Sequence, residues 1–116
     1  MNIINKYIWL IDTVSRAGYS GITFEEINRK YQYADELSDG KEYNVRTFHN
    51  YRRDIAEIFG IDILCDTDGY RYYIADDKEL CFVRIRRGLM TIMLFLKSAG
   101  NDHNACYNLQ KVYLPE

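Results

Sequence analysis

Apolar residues recur at helical spacing in several segments of this chain. In the first segment they follow one another at intervals of 4, 3, 4 and 3, at Ile3, Tyr7, Leu10, Val14 and Ala17. This spacing predicts a helix over 3–17. Gly18 is its expected C-cap, and the stretch 18–21 has the composition of a turn.

A capping signal marks the beginning of a second helix. Thr23 and Glu26 form a T-x-x-E capping box, which predicts a helix that begins just inside Thr23. Its buried stripe would consist of Phe24, Ile27 and Tyr31. The pattern fades over 35–41, where Asp-Gly at 39–40 signals a turn.

The third predicted helix has two clearly different faces. Asn44 is a good N-cap residue, and the helix should run to about Phe59, with Gly60 as its stop. At 100° per residue, one face is apolar and carries Phe48, Tyr51, Ile55, Ile58 and Phe59. The opposite face is polar and carries Arg46, His49, Asn50, Arg53 and Glu57.

A β-hairpin and a fourth helix follow. The runs 61–66 and 70–75 are strand-like, and Asp68-Gly69 between them is a strong hairpin signal. Beyond the hairpin, a helix is predicted over about 80–97, interrupted at Gly88. Its apolar stripe has 3-4-3-4 spacing and consists of Phe82, Ile85, Leu89, Ile92 and Leu96. From about residue 100 onward the sequence predicts no clear element.

Three helices followed by a hairpin predict a winged helix-turn-helix fold. The expected fold is mainly α with a small β-hairpin: a three-helix core plus wing, with a C-terminal helical extension. The expected division is a DNA-binding domain over 1–78 and a C-terminal helix and tail over 79–116. A helix fits the major groove, where Arg pairs with guanine and Asn with adenine. The polar face of the third helix therefore predicts recognition of double-stranded DNA, with Arg46, His49, Asn50 and Arg53 as the DNA-contacting residues.

Four runs of the sequence resemble one known family: 7–13 (YIWLIDT), 21–28 (GITFEEIN), 46–50 (RTFHN) and 69–74 (GYRYYI). They are similar to the N-terminal winged-helix domain of bacterial WYL-domain transcriptional regulators, particularly the Bacteroides-type branch, over residues 1 to about 80. The resemblance implies that the helix carrying Arg46, Thr47, His49 and Asn50 reads DNA and that the hairpin is the wing. Family members continue into an effector-sensing WYL domain. This chain of 116 residues leaves no room for one and loses the likeness after Arg87, so we expect no small-molecule effector site.

Basic residues outside the polar face are candidates for phosphate contacts. We expect such contacts from Lys41, Arg52 and Arg71, although each alone is more often an ordinary surface charge. The predicted hairpin is acidic, since it contains Asp62, Asp66 and Asp68, and these side chains would repel phosphates. Wing contacts are therefore expected from Thr67, Gly69 and Arg71.

The overall charge and the tyrosine content keep a second interpretation open. Lys and Arg number 15 against 17 Asp and Glu, a net charge of −2, which excludes a generally basic coat protein but not a small basic face. Tyr is abundant at 11 residues and suits half-exposed surfaces and interfaces. The alternative is a winged-helix protein–protein interaction module that does not read DNA directly.

Several other function classes have little support. An odd number of cysteines (65, 81 and 106) and the lack of a signal peptide or long apolar run predict a reduced, cytoplasmic protein without a membrane segment. His103 and Cys106 have a metal-compatible spacing, but the other cysteines are remote in sequence, and we expect no metal. Without a phosphate-binding loop or a nucleophile with its base, we predict neither an enzyme nor a cofactor.

The stripe of the fourth helix has two interpretations. It either packs on the same domain or forms a seam between two copies. We predict a homodimer held by 80–97, because regulators on two-fold sites need such an element. A lone surface Trp would be unusual, so we expect Trp9, on the polar side of the first helix, to be covered either by the C-terminal segment or by a partner chain, as a lateral contact of that dimer.

Overall fold

The computed structural model describes residues 3–34, 38 and 40–98. They are mainly helical, with a small three-stranded antiparallel sheet, compatible with a winged-helix-like fold. The helices are α1 (Ile3–Arg16), α2 (Phe24–Tyr33), α3 (Val45–Phe59) and α4 (Lys78–Ser98). A 3₁₀ turn covers Gly18–Ser20, and the strands are β1 (Ile22–Thr23), β2 (Leu64–Asp66) and β3 (Arg71–Tyr73).

The predicted capping box begins α2. The Thr23 hydroxyl accepts a hydrogen bond from the Glu26 backbone N–H at 3.2 Å, which satisfies one of the free donors of the first turn. The same hydroxyl donates to the Glu26 carboxylate, also at 3.2 Å. Glu25 and Glu26 lie in the first turn, where negative charge is favoured by the helix dipole.

The sheet contains a strand that the sequence analysis did not predict. Its order is β1-β3-β2, with Ile22 opposite Tyr72 and Thr23 opposite Arg71. Two residues are too short for a visible alternation, so the sequence predicts a turn over 18–21 and a helix start at Thr23 but no strand between them. Gly21 makes this pairing possible: its φ is 75°, and a Cβ there would lie 2.8 Å from the Arg71 Cβ.

The predicted hairpin is present with shorter strands. Four residues, 67–70, join β2 to β3, so Asp68-Gly69 lies at the centre of the turn as predicted, and Tyr70 belongs to the turn and not to the second strand. Tyr70, not Gly69, takes the left-handed conformation, with φ of 50°. The Asp66 carboxylate accepts a hydrogen bond from the Asp68 N–H at 3.0 Å. This side-chain bond to the backbone two residues on stabilises the wider turn.

One hydrophobic core lies between the helices and the sheet. Its largest fully buried side chains come from α1, α2, α3 and the segment before β2: Tyr7, Leu10, Ile11, Val14, Ile27, Phe48, Ile55 and Ile61. Each contributes roughly 1.5–3 kcal/mol when fully buried. The predicted apolar stripes of the first three helices are therefore confirmed as core-facing.

The fourth helix is continuous and is tied to the end of α3. Its first turn is capped by the Asp77 carboxylate, which accepts a hydrogen bond from the Leu80 N–H at 2.8 Å. The Arg84 guanidinium donates to the Gly60 carbonyl at 2.9 Å and lies 3.3 Å from the Asp76 carboxylate. Gly88 does not interrupt the helix, contrary to the prediction, because it lies buried against α3. No helix in the described ranges has the length and apolar content needed to cross a membrane.

Candidate nucleic-acid interface

Helix α3 is fixed at both ends by the residues that the sequence predicted. The Asn44 side chain accepts a hydrogen bond from the Arg46 N–H at 2.8 Å. At the other end Gly60 takes the left-handed conformation with φ of 66°, and its N–H donates to the Ala56 carbonyl. Phe48, Ile55 and Phe59 are buried on the inner face. The orientation of the outer face follows from this anchoring.

The predicted polar residues share the exposed face of α3. Arg46, His49 and Arg53 are exposed, and Asn50 between them is half-buried. The Arg53 guanidinium donates to the Asn50 side-chain oxygen at 3.3 Å. An amide and a guanidinium therefore stand side by side on the outer surface, both able to form hydrogen bonds with base edges.

Arg52 occupies a different environment from its neighbour Arg53. Its Nε and Nη2 both donate to the Ile63 carbonyl, with Nε at 3.1 Å. Its guanidinium also lies 4.9 Å from the centre of the Tyr72 ring. Arg52 thus connects α3 to the segment before β2 and to β3. At least two of its five N–H donors already bind within the protein, which leaves fewer donors for a phosphate. The phosphate contact expected of Arg52 stays a prediction.

Arg52 also determines how His49 is presented. The Arg52 Nη1 lies 3.1 Å from the His49 Nδ1. A guanidinium has no acceptor, so in a hydrogen bond between these two atoms Nδ1 is the acceptor, and the matching tautomer of a neutral ring carries its proton on Nε2. His49 then offers an Nε2–H donor from the exposed face, suited to a phosphate oxygen or a base acceptor. Sequence periodicity alone did not reveal this coupling.

Lys41 and Thr47 lie close together beside the first turn of α3. Lys41 is exposed in the loop before α3, and Thr47 is half-buried. Both line a small pocket of about 230 Å³ together with Tyr43 and Tyr51. Lys41 is therefore placed beside the first turn of α3, where it can reach a neighbouring phosphate.

The hairpin presents one exposed cation among acidic side chains. Arg71 is exposed on β3, opposite Thr23 on one side and Asp66 on the other. Asp66 and Asp68 are also exposed. The ion pairs formed between described residues are Arg16–Asp12 and Arg84–Asp76, so Arg71 makes none there.

An exposed aromatic side chain at the hairpin tip was not among the site residues predicted from the sequence. Tyr70 follows the Asp68-Gly69 pair, and 73% of its surface is exposed. Its left-handed backbone places it in the turn rather than on β3. The sequence had assigned Tyr70 to a strand, and the signal that could have identified it was its place next to the turn residues.

The chain matches no protein-family model, no curated protein and no solved structure. The resemblance to WYL-domain regulators therefore stays a prediction that rests on the quoted motifs. What the geometry adds is that the face carrying Arg46, His49, Asn50 and Arg53 lies at the surface, on a helix that Arg52 connects to the hairpin. In the described part of the chain, no cluster of three potential metal ligands occurs, and His103 and Cys106 lie outside it.

The predicted dimer stripe is divided between two environments. Ile85, Leu89 and Ile92 pack against the core of their own chain. Phe82 is 69% exposed, and Leu96 is half-buried. Trp9 is half-buried with its ring edge-on to Tyr31 at 5.5 Å, and it lines a groove of about 740 Å³ between α1 and α4.

Proposed function

We propose that this protein is a sequence-specific double-stranded DNA-binding transcriptional regulator built on a winged helix. Helix α3 enters the major groove and the β2–β3 hairpin acts as the wing. The observation that carries the proposal is the exposed face of α3, where Arg46, Asn50 and Arg53 stand together on a helix whose other face is buried. This arrangement supplies donors and an acceptor for base edges on an element of the right width.

The roles of the four residues follow from their chemistry. Arg53 and Arg46 suit bidentate contacts to guanine, and Asn50 suits adenine. His49 contributes one N–H donor, oriented by Arg52. Lys41, beside the first turn of α3, and Arg71, on the hairpin, contact the phosphate backbone, which adds affinity without base preference. Catalysis and a cofactor have no place in this proposal.

The sheet supports the assignment of the wing. Strand β1, which precedes α2, pairs with β3, and β3 is therefore the central strand of the sheet. The hairpin thus belongs to a three-stranded sheet and does not stand alone. Arg52 fixes this sheet to α3 through the Ile63 carbonyl and the Tyr72 ring. Helix and hairpin are therefore held as one surface, as simultaneous contact with a groove and its flanking backbone requires.

Selection of binding sites from random duplexes, followed by titration, tests the proposal. Asn50→Ala should relax preference at one base pair and cost roughly 1–3 kcal/mol on the selected site. Arg53→Ala should weaken specific binding to a similar extent. Arg16→Ala is the matched control: it removes the same charge from an exposed residue of α1 that pairs with Asp12, away from α3. If no sequence is enriched, or if Asn50→Ala and Arg53→Ala bind like the parent, the proposal is wrong.

A protein-interaction module is the second candidate. Exposed acids on the hairpin, together with exposed Tyr19, Tyr33 and Tyr70, favour it, since Tyr is enriched at protein interfaces. Surface potential distinguishes the two functions: DNA recognition needs a positive face around Arg46 and Arg53. Retention of a protein partner by an Arg46→Ala and Arg53→Ala double variant, without any duplex binding by the parent, would favour the module.

A further inference from the structure

Helix α4 carries a second stripe at heptad-like spacing, on a side that the described part of its own chain leaves uncovered. The stripe has 4-3-4-3-4 intervals and consists of Glu79, Val83, Arg86, Met90, Met93 and Lys97, all of them exposed. At 100° per residue it lies about 100° around the helix from Ile85, Leu89 and Ile92, which face the core. Phe82 and Leu94 flank it, and both are more than 60% exposed.

The apolar part of this surface is large for a protein of 116 residues. Phe82, Met90, Met93 and Leu94 are between 51% and 69% exposed, and Val83 is 44% exposed. Large side chains have roughly 150–250 Å² of surface each, so these five present on the order of 500 Å². Monomers rarely expose more in one patch, and a typical interface uses roughly 800 Å² per partner. The aliphatic stems of Arg86 and Lys97 belong to the same stripe and add apolar area to it.

The charges on the stripe determine which orientation of two helices is compatible with it. In a parallel pair, Glu79, Arg86 and Lys97 would each face their own copy, which places three like-charge contacts along the seam. In an antiparallel pair centred near position 88, Glu79 faces Lys97 of the second copy at both ends, and the like-charge approach that remains is between the two Arg86 side chains beside the centre. The stripe therefore has fewer like-charge contacts when the helices run in opposite directions, and it gains two opposite-charge contacts.

We propose that the exposed stripe of α4 is the interface with a second copy of this chain, paired antiparallel. Phe82 packs against Met93 of the second copy, and Val83 packs against its Leu94. The Arg86 stem crosses its Met90, and Glu79 pairs with its Lys97. The core-facing residues Leu89 and Ile92 take no part, so the seam differs from the stripe predicted from sequence.

This inference does not depend on DNA recognition by α3. The seam is tested by molecular mass and the proposed function by duplex binding, so failure of one leaves the other intact. A dimer of this kind would join the two α3 helices for recognition of a two-fold site.

The experiment is sedimentation velocity of the full chain, at concentrations from below one to about a hundred micromolar, a range that brackets micromolar dissociation constants. The Met90→Glu and Met93→Glu double variant removes the centre of the stripe and should be monomeric throughout. Thr91→Glu adds a carboxylate to an exposed residue on another side of α4 and should stay dimeric like the parent. Circular dichroism establishes that each variant is folded.

A charge exchange tests the orientation. Glu79→Lys and Lys97→Glu should each raise the dissociation constant several-fold, because each creates like-charge contacts at both ends of the seam. Combining the two should restore the parental dissociation constant within about twofold, since the pairs are re-formed with reversed sign. A double variant as weak as either single variant would overturn the antiparallel register.

Three further outcomes would overturn the interface itself. The first is a monomeric parent protein across the whole range, the second is loss of the dimer by Thr91→Glu as well, and the third is a dimer that survives the changes at Met90 and Met93. A monomeric parent that binds anionic phosphatidylserine vesicles through Met90 and Met93 would instead assign the stripe to a membrane surface. A dimer that survives the Met90→Glu and Met93→Glu changes would place the interface elsewhere on the chain.

Discussion

Gly88 of α4 and Phe59 at the end of α3 approach each other so closely that no side chain fits between them. A Cβ at Gly88 would lie 2.3 Å from Cδ1 and 2.7 Å from Cε1 of the Phe59 ring, and 3.1 Å from the Ile58 carbonyl oxygen. A glycine inside a helix costs about 1 kcal/mol relative to alanine. Here that cost allows the two helix backbones to meet, so that Phe59 is 96% buried, with 4% exposed.

Gly88→Ala should therefore destabilise the protein, although alanine is the better helix former. We expect the free energy of unfolding to fall by about 1–3 kcal/mol, because the new methyl group displaces the Phe59 ring or the whole helix. Urea unfolding of Thr91→Ala, an exposed position of the same helix, is the control and should change stability by less than about 0.5 kcal/mol. A Gly88→Ala variant more stable than the parent would show that the contact with Phe59 is loose.

Arg52 and Arg53, adjacent in sequence, should respond differently to substitution. Arg52→Ala removes the hydrogen bonds to the Ile63 carbonyl and the contact with Tyr72, so we expect a loss of about 1–3 kcal/mol in unfolding free energy. Arg53→Ala should cost less than about 0.5 kcal/mol in stability while weakening duplex binding. Thermal unfolding and duplex titration on both variants check this, and equal stability losses would contradict the separate roles.

The hydroxyl of Tyr43 should be dispensable for stability near neutral pH. It is buried and makes no hydrogen bond with any described residue, so Tyr43→Phe should be neutral or stabilise by up to about 1 kcal/mol. Tyr7→Phe is the matched comparison, because the Tyr7 hydroxyl donates to the Asp54 carboxylate at 2.8 Å. That variant should lose about 1–2 kcal/mol. Denaturant unfolding of Tyr43→Phe and Tyr7→Phe measures the two changes in unfolding free energy. Equal losses of stability in the two variants would contradict the prediction.

Alkaline pH should destabilise the protein through the same residue. Burial raises the pKa of Tyr43 above its ordinary value, and the nearby Tyr51 and Tyr31 raise it further. The unfolded chain releases this proton at a pH of about 10, whereas the folded protein holds it. Stability is therefore fully present below about pH 10 and falls as pH rises above it. Between pH 8 and 11, the free energy of unfolding should fall more steeply with pH for the parent than for Tyr43→Phe. Identical slopes for the two proteins would exclude Tyr43 as the cause.

Phosphate contacts and base contacts should separate in the salt dependence of duplex binding. In a plot of log affinity against log salt concentration, each phosphate contact makes the negative slope steeper by about 0.9. Lys41→Ala and Arg71→Ala should each make the slope shallower by about 1 without changing the selected sequence. Asn50→Ala should change the sequence preference and leave the slope unaltered. Titrations at several salt concentrations check both statements. An unchanged slope for Arg71→Ala would show that Arg71 of the hairpin makes no contact with the DNA phosphate backbone.

Aspartate in the stripe predicted from sequence should unfold the domain rather than separate two copies. Leu89 and Ile92 pack against the core of their own chain, so Leu89→Asp combined with Ile92→Asp should lower the unfolding free energy by several kcal/mol. Met93→Asp, at a side chain 66% exposed, is the control and should keep the fold at sub-micromolar concentration. A folded Leu89→Asp and Ile92→Asp variant would restore the seam that the sequence alone predicted.

The sequence by itself determined the first three helices and the two faces of α3. Thr23, Asn44 and Gly60 act on backbone groups within a few residues of themselves, so their capping roles can be identified without any tertiary information. Periodicity placed Arg46 and Asn50 on the exposed face for the same reason, because the interval between residues fixes the angle between them on a helix. The existence of a hairpin after α3 also followed from local turn chemistry.

Only the tertiary structure decided what depends on residues distant in sequence. β1 is a strand because it pairs with β3. Arg52 connects α3 to the segment before β2 because the Ile63 carbonyl lies within hydrogen-bond distance of its guanidinium. Periodicity identified the stripe of α4 that contains Ile85, Leu89 and Ile92, but it could not decide whether that stripe packs on its own domain or on a second copy. That choice was made by the close contact between Gly88 and Phe59, which turns Ile85, Leu89 and Ile92 inward and leaves Met90 and Met93 exposed. Burial is a property of the whole packed chain, whereas capping and periodicity belong to a few neighbouring residues.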